Sequence, residues 1–294
     1  MSDSDWLTER FEASRAHLRA VAYRMLGSTT EADDAIQECW LRVSRGDTGA
    51  IENPEAWLTT VLARICLNTL RTRRSRREVS LEGDAVHPAA LNRTHGDPQD
   101  EALLAESVGL ALLVVLERLA PAERVAFILH DVFGVTFDDI ATIVDRTPVA
   151  ARQLASRARR RISGRRGPDQ ANLSEQRQTV EAFLTALRAR DVEGLLAVLN
   201  PDVVRRADRV ALPAGASREL HGAAAVANET LNYAHSARSA RPVLVDGSIG
   251  FIVAPRGTLR VAVRCKVVKE QIVAMDVIAD PARLRELKLA VPPQ

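Results

Sequence analysis

The sequence TFDDIATIVDRTPVAARQLASRARRRI, residues 136–162, predicts two short helices joined by a tight turn. Thr136 and Asp139 form a capping-box pattern, which opens the first helix. Thr147 followed by Pro148 supplies an N-cap and a first-turn proline for the second helix. The pattern therefore predicts a helix-turn-helix.

The second of these helices divides into an apolar face and a basic face. Its apolar positions recur at helical spacing and predict a buried stripe, formed by Ala151, Leu154, Ala155, Ala158 and Ile162. The opposite face carries Arg152, Ser156, Arg159 and Arg160, and Gln153 and Arg157 lie beside it. A recognition helix needs this division, because one side packs inward and the other enters the major groove. An ordinary helical hairpin with solvated arginines is the alternative.

The composition of the whole chain bounds how it could bind nucleic acid. Its 294 residues suffice for two or three domains, and the formal net charge is only +2. Binding to nucleic acid must therefore rest on local arginine patches and not on a global field. The chain has two such patches, within residues 71–77 and 152–166.

Cysteine and apolar patterns exclude several classes of protein. Cys39, Cys66 and Cys265 lie far apart in apolar surroundings, without metal-ligand spacing, which predicts buried free thiols and no metal or cofactor. No apolar run approaches the roughly 18 residues needed to span a bilayer. The acidic start, MSDSDWLTERFE, lacks a signal-peptide pattern, so we expect a cytoplasmic protein.

Periodicity along the chain predicts three domains and two linkers. Helical periodicity covers two blocks of the chain. Beyond them the sequence shows strand patterns instead, with hairpin signals at Asp246-Gly247 and 255–257. Helices followed by antiparallel strands predict an α+β domain, a curved sheet wrapped on helices. The predicted boundaries are 1–78 for the first helical domain, 79–100 for an acidic flexible linker, 101–166 for the second helical domain, 167–173 for a linker and 174–294 for the α+β domain.

The first helical block carries two further surfaces. Its second helix presents acidic residues on one face, and a solvated helix face explains this pattern equally well. Its third helix, from about 55 to 77, has aromatic, amide and basic residues opposite its apolar stripe. These side chains suit base stacking, hydrogen bonding and phosphate pairing. For Trp57 a place in the core is an even alternative.

The helical blocks resemble the two conserved domains of an extracytoplasmic-function (ECF) sigma factor of RNA polymerase, of the sigma-70 type. Three segments carry the resemblance in order, at 22–43 (AYRMLGSTTEADDAIQECWLRV), 53–77 (NPEAWLTTVLARICLNTLRTRRSRR) and 116–162, which ends in the helix-turn-helix. The resemblance implies a promoter-specificity subunit whose partners are core RNA polymerase and promoter DNA. It implies no enzymatic activity.

The resemblance also assigns roles to individual residues. The acidic second helix would contact polymerase through Asp33, Asp34, Gln37, Glu38 and Leu41. The third helix would read the −10 promoter element through Trp57, Thr60, Arg64, Asn68, Arg71, Arg73 and Arg74. The helix-turn-helix would read the −35 element, with Arg152, Gln153 and Ser156 at base edges and Arg157, Arg159 and Arg160 mainly at phosphates.

Residues beyond 174 resemble a SnoaL-like domain, the cone-shaped α+β fold shared with polyketide cyclases and ketosteroid isomerases. A SigJ-like subgroup of sigma factors carries this domain, which implies modulation of activity in cis and an apolar pocket that takes an unknown small ligand. A cyclase-like or isomerase-like enzyme with a DNA-binding leader is the alternative, and its available groups are Asp208, His221, His235, Asp246 and Asp276. A two-component-style regulator fits less well, because a second DNA-facing helix stands where its receiver would be.

Overall fold

A computed structural model describes residues 3–45, 53–79, 109–163, 170–213 and 215–292. Within these ranges the chain forms two compact units. One unit contains the described residues up to 79 and those from 117 to 159, and the other contains 109–116 and the residues from 160 onward. No described helix is both long and apolar enough to cross a membrane.

Helices account for all the regular structure of the described residues from 3 to 163. Their bounds are α1 Asp3–Leu26, α2 Thr29–Val43, α3 Pro54–Val79, α4 Leu110–Glu117, α5 Pro121–Phe127, α6 Phe137–Val144 and α7 Pro148–Ile162, and a π-helical turn over Ile128–Val132 extends α5. Helix α4 lies almost wholly in the second unit, to which the end of α7 also belongs. The predicted linker at 79–100 lies outside the described residues apart from its first position.

Local hydrogen bonds explain where three of these helices begin. The Ser28 hydroxyl accepts from the backbone N–H of Glu31 at 3.4 Å. The Thr136 hydroxyl accepts from the N–H of Asp139 at 3.2 Å, and Thr147 caps α7 by accepting from the N–H of Ala150 at 3.2 Å. Each cap satisfies a backbone donor that the first helical turn leaves open. The helix starts predicted at Thr136 and Thr147 are confirmed.

The two helical blocks share one packed interior. Helix α3 packs against α1 and α2 of its own block and against α5 and α6 of the other. Leu18, Leu58, Leu62 and Leu129 are almost completely buried there. Burial of large aliphatic side chains is the main source of stability for such a bundle. Sequence patterns predicted separate helical domains, whereas the described residues from both blocks pack together.

Helices and a seven-stranded mixed sheet build the second unit, in the α+β arrangement predicted for a SnoaL-like domain. After α8 Gln170–Ala189 and α9 Val192–Val198 come β1 Leu199–Ala207, β2 Glu219–His221, α10 Ala223–Leu231, β3 Ala240–Val245, β4 Ser248–Val253, β5 Val261–Val268, β6 Gln271–Ile278, α11 Pro281–Glu286 and β7 Leu289–Ala290. The strand order is β2-β1-β6-β5-β4-β3-β7.

This sheet corrects several predictions. Strand β1 was not predicted, and it pairs in parallel with β6, so the sheet is not a simple antiparallel run. Helix α8 begins at Gln170, which makes the last residues of the predicted second linker helical. Helix α10 ends at Leu231, and turns and a 3-10 segment follow it.

The two faces of the sheet contact different elements. One face packs on α8, where Phe183 is fully buried, and forms the larger hydrophobic core. Across the opposite face lie Ala111, Val114 and Val115 of α4, with Ile162 at the end of α7. The carbonyl of Ile162 also accepts from the N–H of Val291 at 2.7 Å. The predicted boundaries at 101 and 166 therefore do not separate the α+β unit from these two flanks.

Candidate polymerase and promoter surfaces

Intradomain ion pairs partly neutralise the acidic face of α2. Asp33 pairs with Arg19 at 2.9 Å, and Glu38 pairs with Arg42 one turn away at 2.5 Å. Asp34 is exposed, and it makes no hydrogen bond or ion pair with the described residues. Of the predicted carboxylates, Asp34 is therefore the one whose charge faces solvent uncompensated.

A groove runs beside this acidic face. Its volume is about 650 Å³, and Phe11 and Trp40 lie along it with Asp34 and Gln37. The Phe11 and Trp40 rings are in contact, with centroids 5.0 Å apart. Leu41, on the same helix, is 46% exposed. Exposed apolar and acidic side chains thus occur together on α2, as they do where proteins bind partners.

The predicted −10 face of α3 is mostly accessible. Arg64, Asn68, Arg71 and Arg74 are exposed, whereas Trp57 is half-buried. The Thr60 hydroxyl, also half-buried, donates to the carbonyl of Ala56 at 2.9 Å. A base or phosphate could therefore reach Asn68, Arg71 and Arg74 without a change in the fold.

Arg73 differs from the other members of this set. Its guanidinium pairs with Glu31 of α2, with an Nε to Oε1 distance of 2.8 Å, and donates to the carbonyl of Leu26 at 2.9 Å. An arginine held by an ion pair and a backbone carbonyl fixes α3 against its neighbours. Arg73 is therefore held by contacts within the fold.

Helix α7 presents the two faces predicted for a recognition helix. Ala151, Ala155 and Ala158 are completely buried. On the other side Arg152, Gln153, Arg157, Arg159 and Arg160 are exposed and Ser156 is half-buried. The Arg152 guanidinium lies over the ring of Phe137, 5.2 Å from its centroid, and Arg159 pairs with Asp131 at 2.6 Å. Small residues inside and arginines outside let the helix lie close to its support while its basic face stays accessible.

Contacts between α3 and the helix-turn-helix join two surfaces that were predicted to read different DNA elements. The Arg64 guanidinium donates to the carbonyl of Thr142 in α6 at 3.0 Å. Nearby, Phe133 contacts two residues of α1, with its ring 5.3 Å from the His17 ring and 5.2 Å from the Arg24 guanidinium. We call these three contacts the interblock contact. They occupy one of the predicted DNA-binding arginines.

The second unit contains a pocket of about 100 Å³ between the sheet and its helices. Most of its wall is apolar, and Arg205 and Glu229 meet at one end as an ion pair. Tyr233 lies beside them. Burial, and to a lesser extent the negative charge of Glu229, raises the pKa of the Tyr233 hydroxyl. None of the three residues was predicted as part of a site, and strand β1, which carries Arg205, was itself not predicted.

Comparison with known proteins decides between the predicted classes. The family of sigma-70 region 2 matches residues 10–76, and that of sigma-70 region 4 matches residues 109–162. A probable ECF RNA polymerase sigma factor, SigI of Mycobacterium tuberculosis, is 38% identical over 208 residues, which cover 71% of this chain and 72% of that protein. The chain belongs to the ECF sigma factors of RNA polymerase.

Two further comparisons concern SigJ of the same organism. This ECF sigma factor is 39% identical over 217 residues, which cover 72% of the chain and 68% of SigJ. The crystal structure of SigJ aligns with 94% of the chain and 98% of its own, at 30% identity and a TM-score of 0.45. As a sigma factor, the chain has core RNA polymerase and promoter DNA as its partners, and α1–α3 and α4–α7 fall in the region 2 and region 4 matches.

The groups named for the enzymatic alternative do not converge in this sigma factor. Asp208 is buried, pairs with Arg283 and accepts from two backbone N–H groups at the start of α11. Asp276 pairs with Arg264 at 2.9 Å, and Asp246 accepts from the N–H of Lys288. His221 and His235 are exposed. None of the five lines the pocket. The enzymatic alternative is not favoured.

Proposed function

We propose that this sigma factor binds core polymerase mainly through Asp34, Gln37 and Leu41 of α2. The observation behind this choice is that Asp34 has no counter-charge among the described residues, while Asp33 and Glu38 have one. An uncompensated carboxylate beside an exposed leucine combines electrostatic steering with apolar contact. Asp33 and Glu38 would contribute less, because binding must first compete with their own arginines.

We further propose that exposed and half-buried side chains of α3 and α7 hold the promoter. Helix α3 supplies Trp57, Thr60, Arg64, Asn68, Arg71 and Arg74, and α7 supplies Arg152, Gln153, Ser156, Arg157, Arg159 and Arg160. Arginine planes and amides at helical spacing suit both phosphate contacts and base readout. The support is the exposure of these basic faces on helices whose opposite faces are buried.

Promoter binding by both helices would require the interblock contact to open. The two promoter elements are named for positions about 25 base pairs apart, which is roughly 85 Å at 3.4 Å per base pair. Here Arg64 of α3 lies 3.0 Å from a carbonyl of the helix-turn-helix. Reading both elements at once is incompatible with that distance, so we assign the described arrangement to a state that restrains initiation.

The SnoaL-like domain is proposed to modulate activity in cis through the flanks of region 4. Val114 and Val115 of α4 are each 1% exposed on the sheet, and Ile162 packs beside them. Because α4 and the end of α7 bracket the helix-turn-helix in the chain, a domain that holds both limits how freely that module moves. Modulation by a small ligand in the same domain is part of this proposal.

Promoter occupancy tests the DNA-binding part. Replacement of Arg64, Asn68, Arg152 and Arg157 by alanine together should abolish footprinting of promoter DNA by the polymerase complex. A matched variant with Arg10→Ala and Arg209→Ala, at exposed positions elsewhere, should keep the wild-type footprint. Unchanged occupancy in the four-alanine variant would overturn the assignment of both surfaces.

Weakening the contacts of α4 and of the end of α7 with the sheet tests modulation in cis. The double variant Val115→Ala, Ile162→Ala removes apolar contacts worth about 2–4 kcal/mol in total without introducing charge. Transcript yield from core polymerase should rise several-fold, because the restrained state is weakened. Val149→Ala, at a 63% exposed site on α7, is the control. An unchanged or lower yield in the double variant contradicts restraint by this domain.

A further inference from the structure

The pocket of the SnoaL-like domain has the size of a small organic molecule. Its volume of about 100 Å³ is about two thirds that of an engineered protein cavity of roughly 150 Å³ that binds benzene. Phe251, Val263 and Met275 from the sheet and Ala237 from the helical side contribute to an apolar wall. Burial of apolar surface against this wall would drive binding, so the ligand must itself be largely apolar.

A charge pair at one end of the pocket limits which polar groups can enter. The Arg205 side chain is only 4% exposed, and its Nη1 donates to the carbonyls of Ser217 and Arg218, each at 3.3 Å. Its Nη2 donates to one carboxylate oxygen of Glu229. The opposite charges leave this end without net charge. A charged ligand would lose its hydration without gaining a counter-ion, and the pocket therefore selects against ions.

Two polar atoms near this end have no hydrogen-bond partner among the described residues. They are the second carboxylate oxygen of Glu229 and the hydroxyl of Tyr233, and both residues line the pocket. One can only accept a hydrogen bond, and the other can donate one. A hydroxyl group matches this pair, because its oxygen can accept from Tyr233 while its hydrogen is donated to Glu229.

We infer that this pocket binds a small neutral alcohol of the phenol or cyclohexanol class, with its ring against the apolar wall and its hydroxyl between Tyr233 and Glu229. A cavity of about 100 Å³ admits at most a single small ring, so fused-ring compounds are excluded. That such binding changes initiation rests on the proposed function, in which this domain restrains the helix-turn-helix. Binding itself does not depend on that function.

The test uses the full-length chain and 4-fluorophenol as a probe, observed by fluorine NMR. We expect saturable binding, displacement by phenol and by cyclohexanol, weaker displacement by toluene, and none by benzoate at the same concentration. Saturable binding with this order of competitors supports the site. Absence of saturable binding, or benzoate competing as well as phenol, would overturn it.

Two variants separate the hydroxyl contact from the cavity. Tyr233→Phe removes a hydroxyl without an internal partner, so the fold should persist, and phenol should bind about two- to twelve-fold more weakly while toluene is unaffected. Ala237→Leu fills the cavity and should abolish the binding of both. Ala225→Leu, at an exposed position of α10, is the matched control and should bind like wild type. Equal phenol affinity in Tyr233→Phe would refute the hydroxyl contact.

A transcription assay with core polymerase tests the regulatory use of the site. Phenol should change transcript yield with the wild-type chain and not with Ala237→Leu. Binding without any change in yield would overturn regulation by the ligand while the site itself stands. If binding is seen but neither chain supports initiation with or without phenol, the proposed function fails and the binding site is unaffected.

Discussion

Substitution of Asp34 by asparagine should weaken polymerase binding without weakening the fold. Asp34 makes no ion pair within the described structure, so the free energy of unfolding should stay within about 0.5 kcal/mol of wild type. A close charge pair across an interface contributes about 1.5 kcal/mol or more, which corresponds to a roughly tenfold rise in the Kd for core polymerase. Because charge steers encounter, most of the loss at low salt should be in the association rate.

Fluorescence anisotropy of a labelled chain titrated with core polymerase measures this effect at two salt concentrations. Asp33→Asn should lose less affinity than Asp34→Asn, because Arg19 already neutralises Asp33 at 2.9 Å. Arg19→Gln, which frees Asp33, should strengthen binding. Glu9→Gln, at an exposed site of α1, controls for net charge. Wild-type affinity and salt dependence in Asp34→Asn would refute the reasoning.

Three other substitutions probe the sheet, a buried thiol and the recognition helix. Gly250→Ala should cost more than about 2 kcal/mol in thermal unfolding and broaden the sheet resonances, because its Cβ would lie 2.0 Å from the carbonyl oxygen of Val263. Burial raises the pKa of Cys265 to about 12 from 9.0, so its neutral form stabilises the folded state below pH 9 and that contribution falls by about 1 kcal/mol per pH unit between pH 9 and 12. The free energy of unfolding of Cys265→Ala, measured in urea, should lack this part of the pH dependence. A pH profile identical to that of the wild type would refute the raised pKa of Cys265. Arg152→Ala should relax specificity at one base pair of the −35 element at a cost of about 1–3 kcal/mol, whereas Arg157→Ala should weaken binding to all sequences alike, as gel shifts on single-base variants of the site will show.

Local chemistry explains which parts of the fold were predictable from sequence. The caps at Ser28, Thr136 and Thr147 depend on side chains within three residues of the donors they satisfy, so the sequence alone reveals them. The buried stripe of α7 follows in the same way from helical spacing. Strand β1 was not predicted because its sequence, LNPDVVRRA, has proline and two arginines, and its parallel partner lies about 70 residues away. Parallel pairing leaves no hairpin signal between the strands.

In the candidate site, too, only features set by local sequence were predictable. Exposure of Arg152 and Arg157 was predictable because their own helix determines it. The ion pair of Arg73 with Glu31 spans 42 residues, and no local pattern distinguishes Arg73 from its neighbour Arg74. The charge pair of the pocket likewise joins a strand to a helix. Contacts between elements decide which arginines remain available for DNA, and the sequence does not specify them locally.

Mapping of transcript 5′ ends from genomic DNA, transcribed by core polymerase with and without this chain, tests the central claim most directly. We predict start sites that appear only with the chain, each downstream of one shared pair of elements. In the Arg152→Ala, Arg157→Ala double variant the upstream element should lose its influence on transcript yield. The same start sites with core polymerase alone, or an unchanged pattern in the double variant, would contradict it.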